Sequence, residues 1–273
     1  MKLDFEKEFA IFILSHNRAE KIDTLDMLQK AGYNGSWYVV ISTDNEQIEK
    51  YKQKIPQENL LIFNKEDIVV DTMLSRHKFE PRSAVYARNF IANFAKDKYK
   101  YFLMSDDDIK DIKFKLDING HIKDISGSRY IHQIIEELCS FLESSEKLAG
   151  TALAIGNGYF GGVRSIYKIE REVCCFMVFK SSHLRPFRGI QCEDVILSCD
   201  NFDQVYLTYR GACVIMPQRG SNAGGNDYDT KKLPPNLFWH VVAPSSVKVV
   251  GQWGRIRYNK KMYPQIISDK YKK

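Results

Sequence analysis

The stretch Tyr99-Lys100-Tyr101-Phe102-Leu103-Met104-Ser105-Asp106-Asp107-Asp108 constrains this chain more than any other. Tyr101 to Met104 form an apolar run bounded by polar residues, the pattern of a buried strand. The run ends in three consecutive carboxylates, which repel one another unless a cation compensates. Asp106 and Asp108, two positions apart on an extended segment, point the same way. Hard oxygen ligands of this kind suit Mg²⁺ or Mn²⁺, which bind one or two carboxylates together with substrate phosphates. The stretch therefore reads as a nucleotide-diphosphate site. The competing reading is plain strand termination, with Asp108 as the N-cap of a following helix.

The rest of the first half reads as alternating strands and helices. Phe9-Ala10-Ile11-Phe12-Ile13-Leu14 is a continuous apolar run, as expected of a central parallel strand. A helix follows with Ile22, Leu25 and Leu28 on one face and Gly32 just past its end. Trp37–Ser42 and Leu60–Phe63 read as strands, Glu46–Lys54 as a polar helix, and the segment from Ser83 as a helix turning Ala84, Ala87, Ile91 and Phe94 inward. This alternation predicts a parallel α/β sheet with right-handed connections. The second half is more mixed: Arg129–Ser144 and 189–201 read as helices, and Gly150–Ile155, Cys174–Phe179, Val205–Thr208 and Cys213–Met216 as strands. No linker divides the halves, so 1–273 reads as a single domain.

In an open α/β sheet, ligands bind beyond the carboxyl ends of the strands. Three polar clusters fall there: Ser15-His16-Asn17-Arg18 after the first strand, Asp44 after the second, and Asp106–Asp108 after the aspartate strand. Arg18 suits a phosphate, and Asp44 a base or ribose hydroxyl. An Asx turn is the alternative for Asp44.

These residues resemble a known pattern. Ser83-Ala84-Val85-Tyr86-Ala87-Arg88-Asn89-Phe90-Ile91, followed by the strand and Asp106–Asp108, is similar to the central signature of GT-A nucleotide-sugar glycosyltransferases. Ile11–Arg18 resembles that family's first strand and nucleotide loop. Ser75-Arg76-His77-Lys78 with Pro81-Arg82, Cys192-Glu193-Asp194 and Arg219-Gly220-Ser221-Asn222 resemble the TET/JBP-associated subgroup. That subgroup includes the base J glucosyltransferase and phage enzymes that decorate hydroxymethylated DNA bases.

The resemblance implies an α/β fold of GT-A type, Rossmann-like with a mostly parallel sheet, flanking helices and a mixed acceptor-side lobe. Residues 1–110 would bind the nucleotide sugar, 111–245 the acceptor, and 246–273 would form a basic extension. It implies a nucleotide-sugar site built from Ser15, Asn17, Arg18, Asp44, Arg88, Asp106, Asp107 and Arg219. Mn²⁺ or Mg²⁺ would sit on Asp106 and Asp108, with His240 as a further ligand. Glu193 and Asp194 match the acidic pair that inverting enzymes place near the acceptor, with Asp194 as the base. The alternatives are a dipole-favoured acidic pair at a helix start for Glu193-Asp194, a core histidine for His240, and a structural salt bridge for Arg88.

Charge is uneven. The net charge of +6 hides a tail from Ser245 to Lys273 that holds eight basic residues against Asp269 alone. Trp253, Tyr258, Tyr263 and Tyr271 are interleaved with them. Basic residues contact phosphates and aromatics stack on bases, so Arg76, Lys78, Arg255, Arg257, Lys260 and Lys261 are candidate DNA contacts. A solvated basic terminus is the alternative. The six cysteines lack CxxC spacing, which argues against zinc or a secreted disulfide framework and for reduced residues of a cytoplasmic protein. No apolar stretch approaches the length of a membrane span, so no membrane partner is expected.

The reading is a metal-dependent enzyme moving glucose from UDP-glucose onto hydroxymethylated pyrimidines in double-stranded DNA. Its competitors are a GT-A enzyme with a glycan or lipid-linked acceptor, a non-catalytic nucleic-acid binder on the same scaffold, and a nucleotidyltransferase.

Overall fold

The computed structural model describes residues 1–71, 83–155, 167–168, 173–189, 193–199 and 204–217. Strand β1 (Phe9–Leu14) lies between β2 (Ser36–Ser42) and β4 (Tyr101–Asp106), with β3 (Leu60–Phe63) beyond β2, and these pairings are all parallel. Helices α1 (Asp23–Lys30), α2 (Ile48–Lys54) and α3 (Val85–Lys96) make the connections. Every residue from Phe9 to Ile13 is fully buried, as a strand covered on both faces requires. Its alternate side chains feed two cores. Phe9, Ile11 and Ile13 pack with Leu25 and Leu28 of α1 and with α4 (Ile131–Glu143). Ala10 and Phe12 pack with Val85, Tyr86 and Ile91 of α3.

The sheet continues into the second half, through β5 (Asp111–Ile118), β6 (His121–Ser126), β7 (Leu148–Ile155), β8 (Tyr167–Lys168), β9 (Phe176–Lys180) and β10 (Val205–Ile215), with helix α5 at Glu193–Cys199. The order is β3-β2-β1-β4-β9-β7-β10-β5-β6, with β8 on β10. Here β9 runs antiparallel to both β4 and β7, and β5 antiparallel to both β10 and β6. The parallel half and the mixed lobe thus have the architecture the sequence implied.

Three local readings are corrected. Residues 205–215 form one strand, not two; a register shift against β7 between Tyr209 and Cys213 absorbs the polar Arg210-Gly211 that interrupts the apolar pattern. The strand expected at Cys174–Phe179 begins at Phe176, because Cys175 takes a φ of +61°, outside the extended region. A hairpin that the sequence reading passed over joins β5 to β6 through Asn119-Gly120, whose φ values of +55° and +80° are those of a type I′ turn.

Candidate active site

The carboxyl ends of β1, β2, β3 and β4 open into one cleft of about 410 Å³. Ser15, His16, Arg18, Ser42, Lys65, Arg88, Asp106, Asp107, Asp108, Glu193 and Asp194 all line it. Of the strand-end clusters expected from the sequence, Ser15, His16, Arg18 and Asp106–Asp108 are therefore brought together, and the Glu193-Asp194 pair joins them from the second half; Asn17 and Asp44 are not among the lining residues.

The three aspartates have different surroundings. Asp107 is buried, and both its oxygens are engaged: Oδ2 accepts from Ser15 Oγ at 2.6 Å and Oδ1 from Arg18 at 2.5 Å. Burial pushes its carboxyl up to about 6, against the opposing pull of Arg18. Asp107 thus ties the β1 loop to the β4 turn, whereas the sequence reading had it among the nucleotide contacts. Tyr51 of α2 completes the tie, its hydroxyl 2.6 Å from Ser15 Oγ and accepting from the Arg18 amide at 3.0 Å. Thr24 closes the other side: its hydroxyl donates to the Asp106 carbonyl at 2.6 Å and accepts from the Ile109 amide at 3.0 Å.

Asp106 faces the cleft. Burial raises its carboxyl, while Arg88 and the Cys175 thiol, which donates to it, work the other way. Asp108 keeps one oxygen 3.4 Å from Arg18, but its Oδ1 is buried with no hydrogen-bond partner among the described residues. An orphaned carboxylate oxygen beside a second carboxylate fits a hard divalent cation. No group of three His, Cys, Asp or Glu side chains is gathered for a metal among the described residues. Asp106 and Asp108 would hold the ion with phosphate and water completing its shell, a donor set that suits Mg²⁺ or Mn²⁺.

Beyond β2 and β3 lies an ion pair that the sequence reading missed. Lys65 Nζ, nearly buried, donates to Asp44 Oδ2 at 2.9 Å, and the Ser42 hydroxyl donates to Asp44 Oδ1. Burial alone would raise the Asp44 carboxyl, yet these two donors hold it below its ordinary value. His16 sits close by, and partial desolvation and Lys65 push its pKa below the ordinary value. Lys65 lies just past β3, and the strand-end rule that singled out Asp44 applies to it equally. Asn17, at φ +54°, turns its Oδ1 onto the Glu46 amide at 3.1 Å, a loop-shaping bond.

On the opposite wall, Arg88 of α3 is buried and shared. Its Nε donates to Glu193 Oε1 at 2.7 Å, and its Nη2 lies 3.8 Å from Asp106 Oδ1. Burial disfavours the guanidinium charge, but Glu193, Asp106 and Asp194 outweigh it and raise the Arg88 pKa. Asp194, beside them, is pushed up to about 7 by burial first and by Glu193 second. One cation thus joins Asp106, at the end of β4, to the Glu193-Asp194 pair at the start of α5. The geometry is that of the salt bridge the sequence allowed for Arg88, made to Glu193 as well as to Asp106.

A family model described as TET-associated glycosyltransferase matches residues 9–218, spanning the parallel half and the mixed lobe. The chain belongs to that family. As a TET-associated glycosyltransferase it is a sugar-transferring enzyme. A solved mycobacterial protein shares its fold, with a TM-score of 0.51 at 12% identity over 92% of this chain and 83% of the other. Glucosyl-3-phosphoglycerate synthase from Mycobacterium tuberculosis, solved with Mn²⁺, UDP and glucosyl-3-phosphoglycerate, is more distant. Its TM-score is 0.44 at 13% identity, over 78% of this chain and 73% of its own. No curated protein matches the chain by sequence. Arg76, Lys78, Arg219, His240, Arg255, Arg257, Lys260 and Lys261 lie outside the described residues. Among the described residues, no helix is long and apolar enough to cross a membrane.

Proposed function

We propose that this glycosyltransferase moves glucose from UDP-glucose onto the hydroxymethyl group of a modified pyrimidine in double-stranded DNA, with Mn²⁺ or Mg²⁺ held by Asp106 and Asp108. The observation that carries the chemistry is the bridging of Asp106 and Glu193 by Arg88, which sets a proton acceptor beside a diphosphate site. Asp44, oriented by Lys65 and Ser42, reads the base or ribose, and Arg18 faces the phosphates. A bound divalent ion would offset diphosphate charge and so favour departure of UDP.

Asp194 takes the proton of the acceptor hydroxyl as that oxygen bonds to the anomeric carbon and the bond to the UDP oxygen breaks. A carboxyl raised to about 7 is half ionised at neutral pH and a stronger base than an ordinary aspartate. Glu193, fixed by Arg88, is the alternative acceptor, and its engagement favours Asp194. The DNA acceptor is supported by the basic, aromatic segment after Ser245. A substituent on the pyrimidine C5 projects into the major groove, so a basic protein can reach it with the base still stacked.

The test is incubation with Mn²⁺, a panel of nucleotide sugars, and DNA with or without 5-hydroxymethylcytosine or 5-hydroxymethyluracil, followed by mass analysis of the nucleosides. A hexose on the hydroxymethylated base alone is the expected product. Reaction of glycan acceptors only would make the DNA assignment wrong.

A further inference from the structure

Two successive side chains of α3 reach across to the segment leading into α5. Arg88 takes Glu193. Asn89, itself buried, makes two hydrogen bonds to a single residue: its Nδ2 donates to the Phe187 carbonyl at 2.9 Å, and its Oδ1 accepts from the Phe187 amide at 2.8 Å. A carboxamide here stands in for a neighbouring strand, satisfying both backbone groups of a buried residue. The Phe187 ring is fully buried, packs edge-on against Phe179 at 6.0 Å, and lies 5.6 Å from the Arg88 guanidinium. Adjacent residues of one helix therefore grip both Phe187 and Glu193.

The next two residues are fixed from outside. Arg188 donates twice to Asp71 Oδ2, at 2.9 and 2.8 Å, and the Gly189 amide donates to the Asp71 carbonyl at 2.8 Å. Gly189 does so at φ +76°, which a side-chain-bearing residue adopts only at a cost. These bonds anchor a non-helical, non-strand segment to the donor half. That segment comes shortly before the acidic pair.

We propose that Asn89 is a positioning residue for sugar transfer. By pinning Phe187 beside Arg88, it sets where Glu193 and Asp194 stand relative to the nucleotide-site aspartates. The inference rests on the reading of Asp194 as proton acceptor given above. Asn89 does not line the cleft, and among the described residues its side chain hydrogen-bonds to no β1 or β4 residue of the donor side, so its loss acts first on the groups held through Phe187 and Glu193. Displacements of about 1 Å are enough to lower turnover by about a hundredfold.

The experiment measures kcat, the donor KM and UDP–Mn²⁺ affinity for the full chain, with the donor and acceptor the wild type uses. Asn89→Ser is expected to lower kcat by about ten- to a hundredfold, with donor KM and UDP affinity unchanged and faster exchange of the Phe187 amide. Should Asn89→Ser fail to fold, Asp71→Asn loosens the same segment from the surface. It is expected to lower kcat less, in the same direction and at unchanged UDP affinity.

An unchanged kcat in the folded variants would overturn the proposal. So would a fall in kcat matched by an equal loss of UDP affinity, since Asn89 would then only support the fold. Asp194→Asn, assayed in parallel, separates the two readings. If it retains transfer, the proton-acceptor reading fails and this inference with it. If it abolishes transfer while Asn89→Ser does not lower kcat, only the positioning role is wrong.

Discussion

Replacing Arg88 by methionine should be among the most damaging single changes in this enzyme, for a reason that can be put in numbers. The Arg88 and Glu193 side chains are 6% and 8% exposed, so neither charge can turn to water when its partner goes. Breaking a buried pair from one side costs about 3–5 kcal/mol, because an uncompensated charge is left behind. For a chain of this size each kcal/mol is worth about 2–4 °C, so the melting temperature should fall by about 10 °C. Glu193→Gln should cost less, about 1–3 kcal/mol, since Arg88 keeps Asp106 at 3.8 Å and an amide oxygen still accepts its N–H.

The double variant Arg88→Met/Glu193→Gln should be less destabilised than the two single losses added together, because it strands no charge at position 193. Recovery should be incomplete, since Asp106 and Asp194 also face the missing guanidinium. Urea unfolding followed by tryptophan fluorescence and far-UV circular dichroism gives all three values. Strict additivity, or a loss under about 1 kcal/mol for Arg88→Met, would refute the buried-charge argument.

Other outcomes follow from single residues. Asp108→Asn is expected to abolish transfer and to remove the Mn²⁺-dependent part of UDP affinity, read by titration calorimetry with and without the metal; transfer at the wild-type rate would refute its role. The transfer rate should rise with pH through about 7 as Asp194 loses its proton, an inflection that Asp194→Asn should eliminate. The same group binds its proton more tightly folded than unfolded. Its contribution to stability therefore declines as pH rises from about 3.8 to about 7, and Asp194→Asn should flatten that decline in unfolding free energy. In Gly120→Ala the new methyl meets no atom of the described residues within 4 Å but must hold φ +80°, so it should cost about 1 kcal/mol by urea unfolding with transfer unchanged. Lys65→Met should raise the donor KM and leave kcat nearly unaltered in steady-state assays, because it releases Asp44 and not the acceptor-side pair.

The parallel half was legible because a strand buried on both faces must be apolar along its length, and Phe9–Ile13 and Tyr101–Met104 are. The polar groups around its cleft were legible because they fall at strand ends, as Arg18 and Asp106–Asp108 do. The mixed lobe was harder to read. Arg210-Gly211 looks like a break, yet the ladder bulges and continues there. The Asn119-Gly120 turn carried a hairpin signal, but the flanking charges of β5 and β6 obscured the alternation. Contacts between distant residues had no local trace. Arg88 meets Glu193 across 105 positions and Asn89 meets Phe187 across 98, and no periodicity encodes such a pairing. The distinct surroundings of Asp107 and Asp108 were also invisible, since identical neighbouring side chains differ only in what the fold turns toward each.

The short passage from β4 to β5 bears on how the chain can vary. Only residues 107–110 separate the strands, although β9, β7 and β10 lie between them in the sheet. Four strand spacings amount to about 19 Å on a flat sheet, whereas five fully extended residue steps reach about 18 Å at most. A turn cannot be fully extended, so the sheet must coil to bring the end of β4 toward the start of β5. The aspartates occupy a bridge with no slack. Removing one residue from 107–110 would force the sheet open or pull Asp106 off its strand. In natural variants of this enzyme, length changes should therefore accumulate elsewhere, and this passage should keep its residue count even where its sequence drifts.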